Sequence, residues 1–141
     1  MELKKTKKVG NYKDTENREK FGGVIMKYFK ESEFECKCGC GANNMQEEML
    51  RRLGNARQFT NTPFSLNSAC RCEKHNKAAG SKPTSSHVTG WAVDIKARDS
   101  VSRYKILGGL MKAGFNRIGI ADTFIRADCD PKKSECVIWT Y

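Results

Sequence analysis

The segment SSHVTGWAVD, residues 85–94, holds the residues of this chain best suited to bind a metal ion. His87 is one of two histidines in 141 residues, and Asp94 lies seven positions after it. Imidazole nitrogen and carboxylate oxygen are both common zinc ligands. Gly90 between them lets the chain turn back, so that a loop histidine and a strand aspartate can converge. A hydrolytic zinc site needs about three protein ligands and an open position for water, so this pattern alone leaves one ligand missing.

The seven cysteines provide a second set of candidate metal ligands. Three lie in CKCGC, and alternation in an extended segment would place Cys36, Cys38 and Cys40 on one face. Together with Cys72 they have the type and number of ligands of a structural zinc site. The usual paired C-x-x-C spacing is absent, so reduced thiols in a glycine-rich turn are the other interpretation. An odd number of cysteines excludes complete disulfide pairing within one chain.

Length and composition predict one soluble domain. A chain with 38% hydrophobic and 30% charged residues can bury a core at this length without disulfides. No apolar run approaches the roughly 18 to 20 residues that cross a bilayer. The first twenty residues are charged and contain no apolar segment of signal-peptide type. We therefore expect synthesis in the cytoplasm without a conventional export signal.

The hydrophobic pattern predicts a small α+β domain with an antiparallel sheet and flanking helices. Residues 1–25 are polar and basic and indicate a flexible arm, which leaves residues 26–141 for the folded domain. Helical spacing predicts an amphipathic helix over residues 45–59 and a second helix that begins near Asp99 and ends near Gly114. Residues 72–87 are expected to be loop with one short helical turn. Strands are predicted at residues 64–71, 90–97, 117–121, 123–128 and 137–141.

Three ordered blocks of sequence resemble the zinc D-Ala-D-Ala carboxypeptidase family, peptidoglycan metallopeptidases related to the hedgehog and lysostaphin-type enzymes. The blocks are ACRCEKHNKAAG, SSHVTGWAVDI and GFNRIGIADTFIRADCDPKKSECVIWTY. The preceding FECKCGCGANN is similar to the form found in phage and prophage members. The resemblance covers about Tyr28 to Tyr141, and it implies a hedgehog/D-Ala-D-Ala metallopeptidase-like fold and a catalytic zinc ion.

The resemblance also implies a role for each residue that matches a family motif. His87 and Asp94 match two zinc ligands in S-x-H-x6-D, and Ser85, the serine of that motif, is expected to contact substrate. Arg71 matches an arginine associated with the carboxylate end of the substrate, a role suited to a planar guanidinium that can bind a carboxylate through two hydrogen bonds. Asp128 matches the acidic residue beside the metal, which acts as a general base or orients the catalytic water.

The third zinc ligand of the family is a histidine in F-I-H-V-D, whereas this chain reads F-I-R-A-D at residues 124–128. Arg126 occupies the histidine position, and a guanidinium has no lone pair to donate to a metal. Asp128 shares a strand face with residue 126 and could serve as the third ligand. The thiolate of Cys129 would be a better zinc ligand than the Asp128 carboxylate, but strand alternation turns Cys129 to the opposite face.

Two further outcomes for this position stay open. The guanidinium of Arg126 could lie between Asp94 and Asp128 and replace the metal, so that the old pocket survives as a peptide-binding or structural site. Alternatively, His87 and the two aspartates could bind zinc weakly and give low residual activity. The sequence does not choose among these outcomes.

The main functional hypothesis is a zinc-dependent peptidase that cleaves peptidoglycan stem peptides near D-alanine, as a carboxypeptidase or an endolysin-like enzyme. The alternative is a homologue with a disabled metal site that serves as a cell-wall-binding or phage structural protein. Either protein would act at the bacterial cell wall or be carried in a phage particle, and the formal net charge of +10 suits an anionic wall. The chain has no basic helix with interleaved aromatics and no zinc-finger spacing, so no specific nucleic-acid partner is expected.

Overall fold

A five-stranded sheet organises the domain in the computed structural model, which describes residues 27–141. The predicted arm over residues 1–25 lies outside the described residues. The strands are β1 (Leu66–Ser68), β2 (Ala92–Lys96), β3 (Arg117–Ile120), β4 (Phe124–Asp128) and β5 (Val137–Thr140). Their order across the sheet is β1-β2-β4-β3-β5.

The sheet is mixed, which corrects the prediction of an antiparallel sheet. The pairings of β1 with β2, β2 with β4 and β3 with β4 are antiparallel, but β5 pairs with β3 in the parallel sense. The reason is that β2 and β3 occupy both edges of β4. The chain that leaves β4 must therefore cross to the free edge of β3, where it runs in the same direction as β3. Three of the four pairings keep the predicted sense, and the α+β class is confirmed.

From residue 29 onward, three α-helices accompany the sheet: α1 (Glu47–Thr60), α2 (Glu73–Ala78) and α3 (Ser100–Lys112), with a 3-10 helix at Glu31–Phe34 before them. The predicted cap of α3 is present, since the Asp99 carboxylate accepts a hydrogen bond from the Ser102 backbone N–H at 2.8 Å. The six-residue helix α2 forms within the segment predicted to be mostly loop. No helix in the described part of the chain is both long enough and apolar enough to cross a bilayer.

The hydrophobic core lies between one face of the sheet and the helices. The alternation of strand side chains turns the apolar residues of β2, β3 and β4 to this face, where they join buried residues of α1 and α3: Val93, Ile95, Ile118, Ile125, Ala127, Met49, Leu53, Ala56, Ile106 and Leu110. The same alternation places the charged residues of the strands on the other face.

The helix α3 buries a narrower stripe than its apolar spacing suggests. Ile106, Gly109 and Leu110 are buried, whereas Val101 and Tyr104 are mostly exposed. Gly109 is the point of closest approach to α1. A Cβ atom added there would overlap the Thr60 side chain and would lie 2.9 Å from the backbone oxygen of Ala56. The absence of a side chain at residue 109 thus sets how closely the two helices pack.

We predict opposite effects of alanine at the two adjacent glycines of α3. Gly109→Ala should lower the free energy of unfolding by about 1–3 kcal/mol, because its methyl group overpacks the contact with α1. Gly108→Ala is the matched control, since nothing lies within 4 Å of a Cβ atom there. It should raise stability by up to about 1 kcal/mol through helix propensity. Urea denaturation of both variants measures the difference, and equal effects would contradict the proposed close packing.

Candidate active site

The sheet register brings the predicted site residues of two strands together. Asp94 of β2 and Arg126 of β4 are paired positions, so their side chains lie on the same face of the sheet. Asp128, two residues further along β4, shares that face. The intervening Ala127 packs in the core on the opposite side. Strand alternation and register thus place two carboxylates and one guanidinium side by side.

His87 reaches this face from the loop before β2. Its backbone N–H donates a hydrogen bond to Ser85 Oγ at 3.2 Å, so Ser85 supports the turn that carries the histidine. The turn continues through Gly90, which has a φ of +82° and whose Cβ, if present, would overlap the Asn44 carbonyl. The predicted reversal of the chain at this glycine is therefore present. A substrate contact of Ser85 remains a prediction.

The His87 imidazole has the orientation of a metal ligand. Nδ1 lies 2.8 Å from the carbonyl oxygen of Ala69. A carbonyl only accepts, so Nδ1 carries a hydrogen, and in the neutral ring Nε2 holds a lone pair. Nε2 lies 3.3 Å from Asp94 Oδ2. Within residues 27–141, neither His87 Nε2 nor Asp94 Oδ1 has a hydrogen-bond partner, although both atoms are buried. A lone pair on Nε2 and a carboxylate oxygen at this distance repel each other, and a metal ion bound by both atoms would relieve that repulsion.

Asp128 is fully buried and has both oxygens occupied. Oδ2 lies 3.0 Å from a terminal nitrogen of Arg126, and Oδ1 lies 3.3 Å from Arg117 Nε. Oδ1 also accepts a hydrogen bond from the backbone N–H of Asp130 at 2.9 Å. Two guanidinium groups therefore neutralise the carboxylate that the resemblance assigns to the catalytic water.

These contacts leave the histidine–aspartate pair without a third protein ligand. In the described part of the chain, the only convergence of three or more histidine, cysteine, aspartate or glutamate ligand atoms is the cysteine cluster, and not His87 with Asp94 and Asp128. Arg126 forms its ion pair with Asp128 rather than with Asp94. The Cys129 thiol lies in the core, 3.6 Å from Met49 Sδ, and burial raises its pKa to about 12. A neutral, buried thiol on the opposite face does not complete a zinc site.

Arg71 is held beside Asp94 by neutral polar side chains. Its Nε donates to Ser68 Oγ at 3.2 Å, and one terminal nitrogen donates to Asn76 Oδ1 at 3.2 Å and to Ser81 Oγ at 3.1 Å. The other terminal nitrogen lies 3.8 Å from Asp94 Oδ2. These contacts fix the plane of the guanidinium, and the longer ion pair leaves Arg71 only partly neutralised.

On this face of the sheet, guanidinium groups outnumber the carboxylates that they contact directly. Three guanidinium groups, of Arg71, Arg117 and Arg126, surround the two carboxylates of Asp94 and Asp128. Burial lowers the pKa of Arg71; Asp94 opposes this effect, and the charge of Arg126 adds to it. An additional anion, such as a carboxylate of a ligand, would therefore be attracted to this face of the sheet.

Arg117 was missed by reasoning from the sequence. It stacks on the Trp139 ring, 5.4 Å from the centroid, and contacts Asp128 across the β3–β4 pair. The signal was available, because RIGIADTFIRAD has the pattern of a β-hairpin, and its register pairs Arg117 with Asp128. The buried hydrogen bond from Ser86 Oγ to Asp130 Oδ2, at 2.7 Å, has no comparable local signal.

We predict that Asp128→Asn destabilises the fold by about 3–5 kcal/mol, because it leaves the buried charges of Arg117 and Arg126 without a partner. The matched control is Glu48→Gln on α1, which removes another carboxylate between two arginines. The Glu48 side chain is 35% exposed, so this change should cost under about 1 kcal/mol. Thermal and urea unfolding measure both effects. Similar losses for the two variants would contradict a structural role of the buried pair.

Comparison with known proteins gives a family for the chain. A sequence model of the family described as peptidase M15 matches residues 27–126, more than half of the chain. The matched region includes Arg71, His87 and Asp94, and its last residue is Arg126. No curated protein matches the chain.

Proposed function

The chain belongs to the peptidase M15 family. We propose that it binds the stem peptide of bacterial peptidoglycan beside Arg71, at the sheet face that carries Asp94 and Asp128, and that Arg126 closes the metal site there. Membership of this family supports peptidase activity in general. Which part of that activity this chain retains depends on the residues at the site. Recognition of the peptide and chemistry at the metal depend on different residues of the site.

The contacts of Arg71 support recognition of a carboxylate. Its guanidinium is fixed by Ser68, Asn76 and Ser81, and its ion pair with Asp94 is long, at 3.8 Å. A guanidinium held in this way can bind a carboxylate through two parallel hydrogen bonds with little loss of conformational entropy. The terminal carboxylate of a peptidoglycan stem peptide has the required chemistry, and the positive charge of the whole chain suits an anionic cell wall.

The ion pair between Arg126 and Asp128 is the observation that carries the proposed loss of hydrolysis. The residues present fit only part of a zinc site. His87 and Asp94 offer two ligand atoms, but the third position holds a cation that would repel a metal ion. Asp128 is held by Arg126 and Arg117 and is not free to orient a water molecule. Because the donor set is incomplete, these residues do not by themselves form a hydrolytic zinc site.

Zinc-dependent hydrolysis is the second candidate function, and a different observation favours it. His87 Nε2 and Asp94 Oδ1 are buried without hydrogen-bond partners in residues 27–141. A zinc ion held by these two residues would supply a polarising charge and an acidic bound water. For the enzyme to work, Asp128 would have to leave Arg126 during the reaction.

We predict that Arg126→His restores a metal site. The imidazole would stand beside Asp94 in the β2–β4 register and supply the missing lone pair. The variant should bind one zinc ion more than the parent, lose it again when Asp94→Ala is added, and cleave a synthetic stem peptide. Arg126→Gln is the control, because it removes the charge without adding a good ligand. Elemental analysis and chromatography of the peptide products provide the readouts.

The outcome for the parent chain separates the two candidate functions. If the parent cleaves the stem peptide, and Asp94→Ala abolishes both the cleavage and one bound zinc ion, zinc-dependent hydrolysis is correct and closure of the site by Arg126 is wrong. If the parent neither cleaves the peptide nor loses zinc in Asp94→Ala, the proposed loss of hydrolysis is supported.

We predict that Arg71→Gln weakens binding of a stem peptide by roughly 10-fold or more, because a charged hydrogen bond to the terminal carboxylate is lost. The control is the same peptide with an amidated C-terminus. The amide should bind the parent weakly, and Arg71→Gln should change its affinity little. Calorimetry of all four combinations gives the coupling between Arg71 and the carboxylate. Additive effects would contradict direct recognition.

A further inference from the structure

Four cysteine side chains meet where the segment before α1 contacts the N-terminus of α2. The sulfur atoms of Cys36, Cys38, Cys40 and Cys72 all lie within 4.8 Å of one another. We propose that these four thiolates bind a structural zinc ion, separate from the histidine–aspartate pair on the sheet. The site would join two segments that are 32 residues apart at their nearest cysteines, Cys40 and Cys72.

The sulfur–sulfur distances match the edges of a zinc tetrahedron. Cys36 Sγ lies 3.5 Å from Cys38 Sγ and 3.7 Å from Cys72 Sγ, and the latter two atoms are 3.7 Å apart. A Zn–S bond of about 2.3 Å gives a tetrahedral edge of about 3.8 Å. A disulfide requires about 2.05 Å, so no pair of these sulfurs is bonded. Three sulfurs thus form one face of a tetrahedron, and Cys40 Sγ, which lies within 4.8 Å of each of them, would supply the fourth corner.

The backbone around the cluster supplies N–H donors to the sulfurs. The N–H of Cys72 points to Cys36 Sγ at 3.4 Å, that of His75 to Cys72 Sγ at 3.3 Å, and that of Ala42 to Cys40 Sγ at 3.4 Å. Such hydrogen bonds stabilise negative charge on sulfur and fix the direction of each ligand. The His75 N–H also belongs to the N-cap of α2, so the N–H groups of Cys72 and Ala42 are the two donors that helix capping does not explain.

A turn, rather than an extended segment, brings the first three cysteines together. Residues 37–40 form turns, and Gly39 has a φ of +90°, a conformation that glycine adopts without strain. The expectation that strand-like alternation aligns these cysteines is therefore wrong in its geometry, although the four residues do converge. The turn at Gly39 brings these cysteines together although they lack C-x-x-C spacing.

His75 belongs to the surroundings of the cluster and not to its ligand set. Its Nδ1 lies 3.2 Å from Cys36 Sγ. It is nevertheless outside the group whose ligand atoms all lie within 4.8 Å of one another. A histidine in this position can hydrogen-bond a metal-bound sulfur and tune its charge. This assignment distinguishes a four-cysteine site from one of three cysteines and one histidine.

The proposed zinc ion would help to orient the side chain of Arg71. Cys72 follows Arg71 directly and is the N-cap residue of α2, and Asn76 of α2 holds the Arg71 guanidinium. A helix of six residues is too short to be stable by itself. A metal bond at its first turn would fix α2 and, through Asn76, the orientation of Arg71.

The test measures zinc in the full chain by elemental analysis. We expect one zinc ion per chain in the parent, retained in Asp94→Ala, in His75→Ala and in Cys136→Ser, and lost in Cys38→Ser and in Cys40→Ser. Cys136 is the matched control, because it is exposed and lies outside the cluster. Replacement of zinc by cobalt should give a thiolate-to-cobalt charge-transfer absorption in the parent and in Asp94→Ala.

Two results would overturn the proposal: a parent without zinc, or zinc that Cys38→Ser and Cys40→Ser retain. Loss in His75→Ala with retention in Cys40→Ser would overturn the assignment of the fourth ligand. If a cysteine variant fails to fold, the parent still decides the question. A strong chelator should lower its Tm and expose four additional thiols to a thiol reagent, and zinc should reverse both changes. Because Asp94→Ala tests the sheet site separately, failure here leaves the proposed function untouched.

Discussion

The buried carboxylate of Asp128 imposes the main constraint on this domain. An ionised carboxylate that is fully removed from water must be neutralised by a partner, or it costs several kcal/mol. Here Arg126 on the same strand and Arg117 on β3 provide the partners, at 3.0 and 3.3 Å. Arg117 also stacks on Trp139 of β5. A single charge thereby connects β4 with β3 and β5, including the parallel pair at the edge of the sheet.

The same face of the sheet has two halves with opposite electrostatic requirements. In one half, His87 Nε2 and Asp94 Oδ2 approach to 3.3 Å, an arrangement that a bound cation would stabilise. In the other half, Arg117 and Arg126 already exceed the charge of the carboxylate they share. A divalent ion in the first half would be repelled by the second, because the charges are buried and poorly screened. An imidazole at position 126 would remove this conflict, whereas a guanidinium maintains it.

Recognition of a ligand depends on a different part of the structure from metal chemistry. Arg71 is oriented by Ser68, Asn76 and Ser81, and none of these contacts requires a metal on the sheet. Cys72 of the neighbouring cysteine cluster is the N-cap residue of α2, the helix that carries Asn76. In the proposed function, replacement of the third metal ligand by Arg126 therefore leaves the contacts that orient Arg71 unchanged.

The sequence determined the features that depend on residues close together in the chain. Helical periodicity located α1 and α3, Asp99 marked a helix start, and a turn at Gly90 was expected between the histidine and the aspartate. The chemistry of Arg126 was also fixed by residue type, since a guanidinium cannot ligate zinc in any fold.

The tertiary structure decided which of these groups meet. The parallel edge strand, the pairing of Arg117 with Asp128 and the buried face of α3 all depend on contacts between segments distant in sequence. The cysteines show most clearly what local sequence cannot predict. Their spacing was compatible both with a zinc site and with free thiols. Only the packing of the turn at Gly39 against Cys72 brings the four sulfurs within 4.8 Å of one another. Register and packing are properties of the whole chain, and local spacing does not specify them.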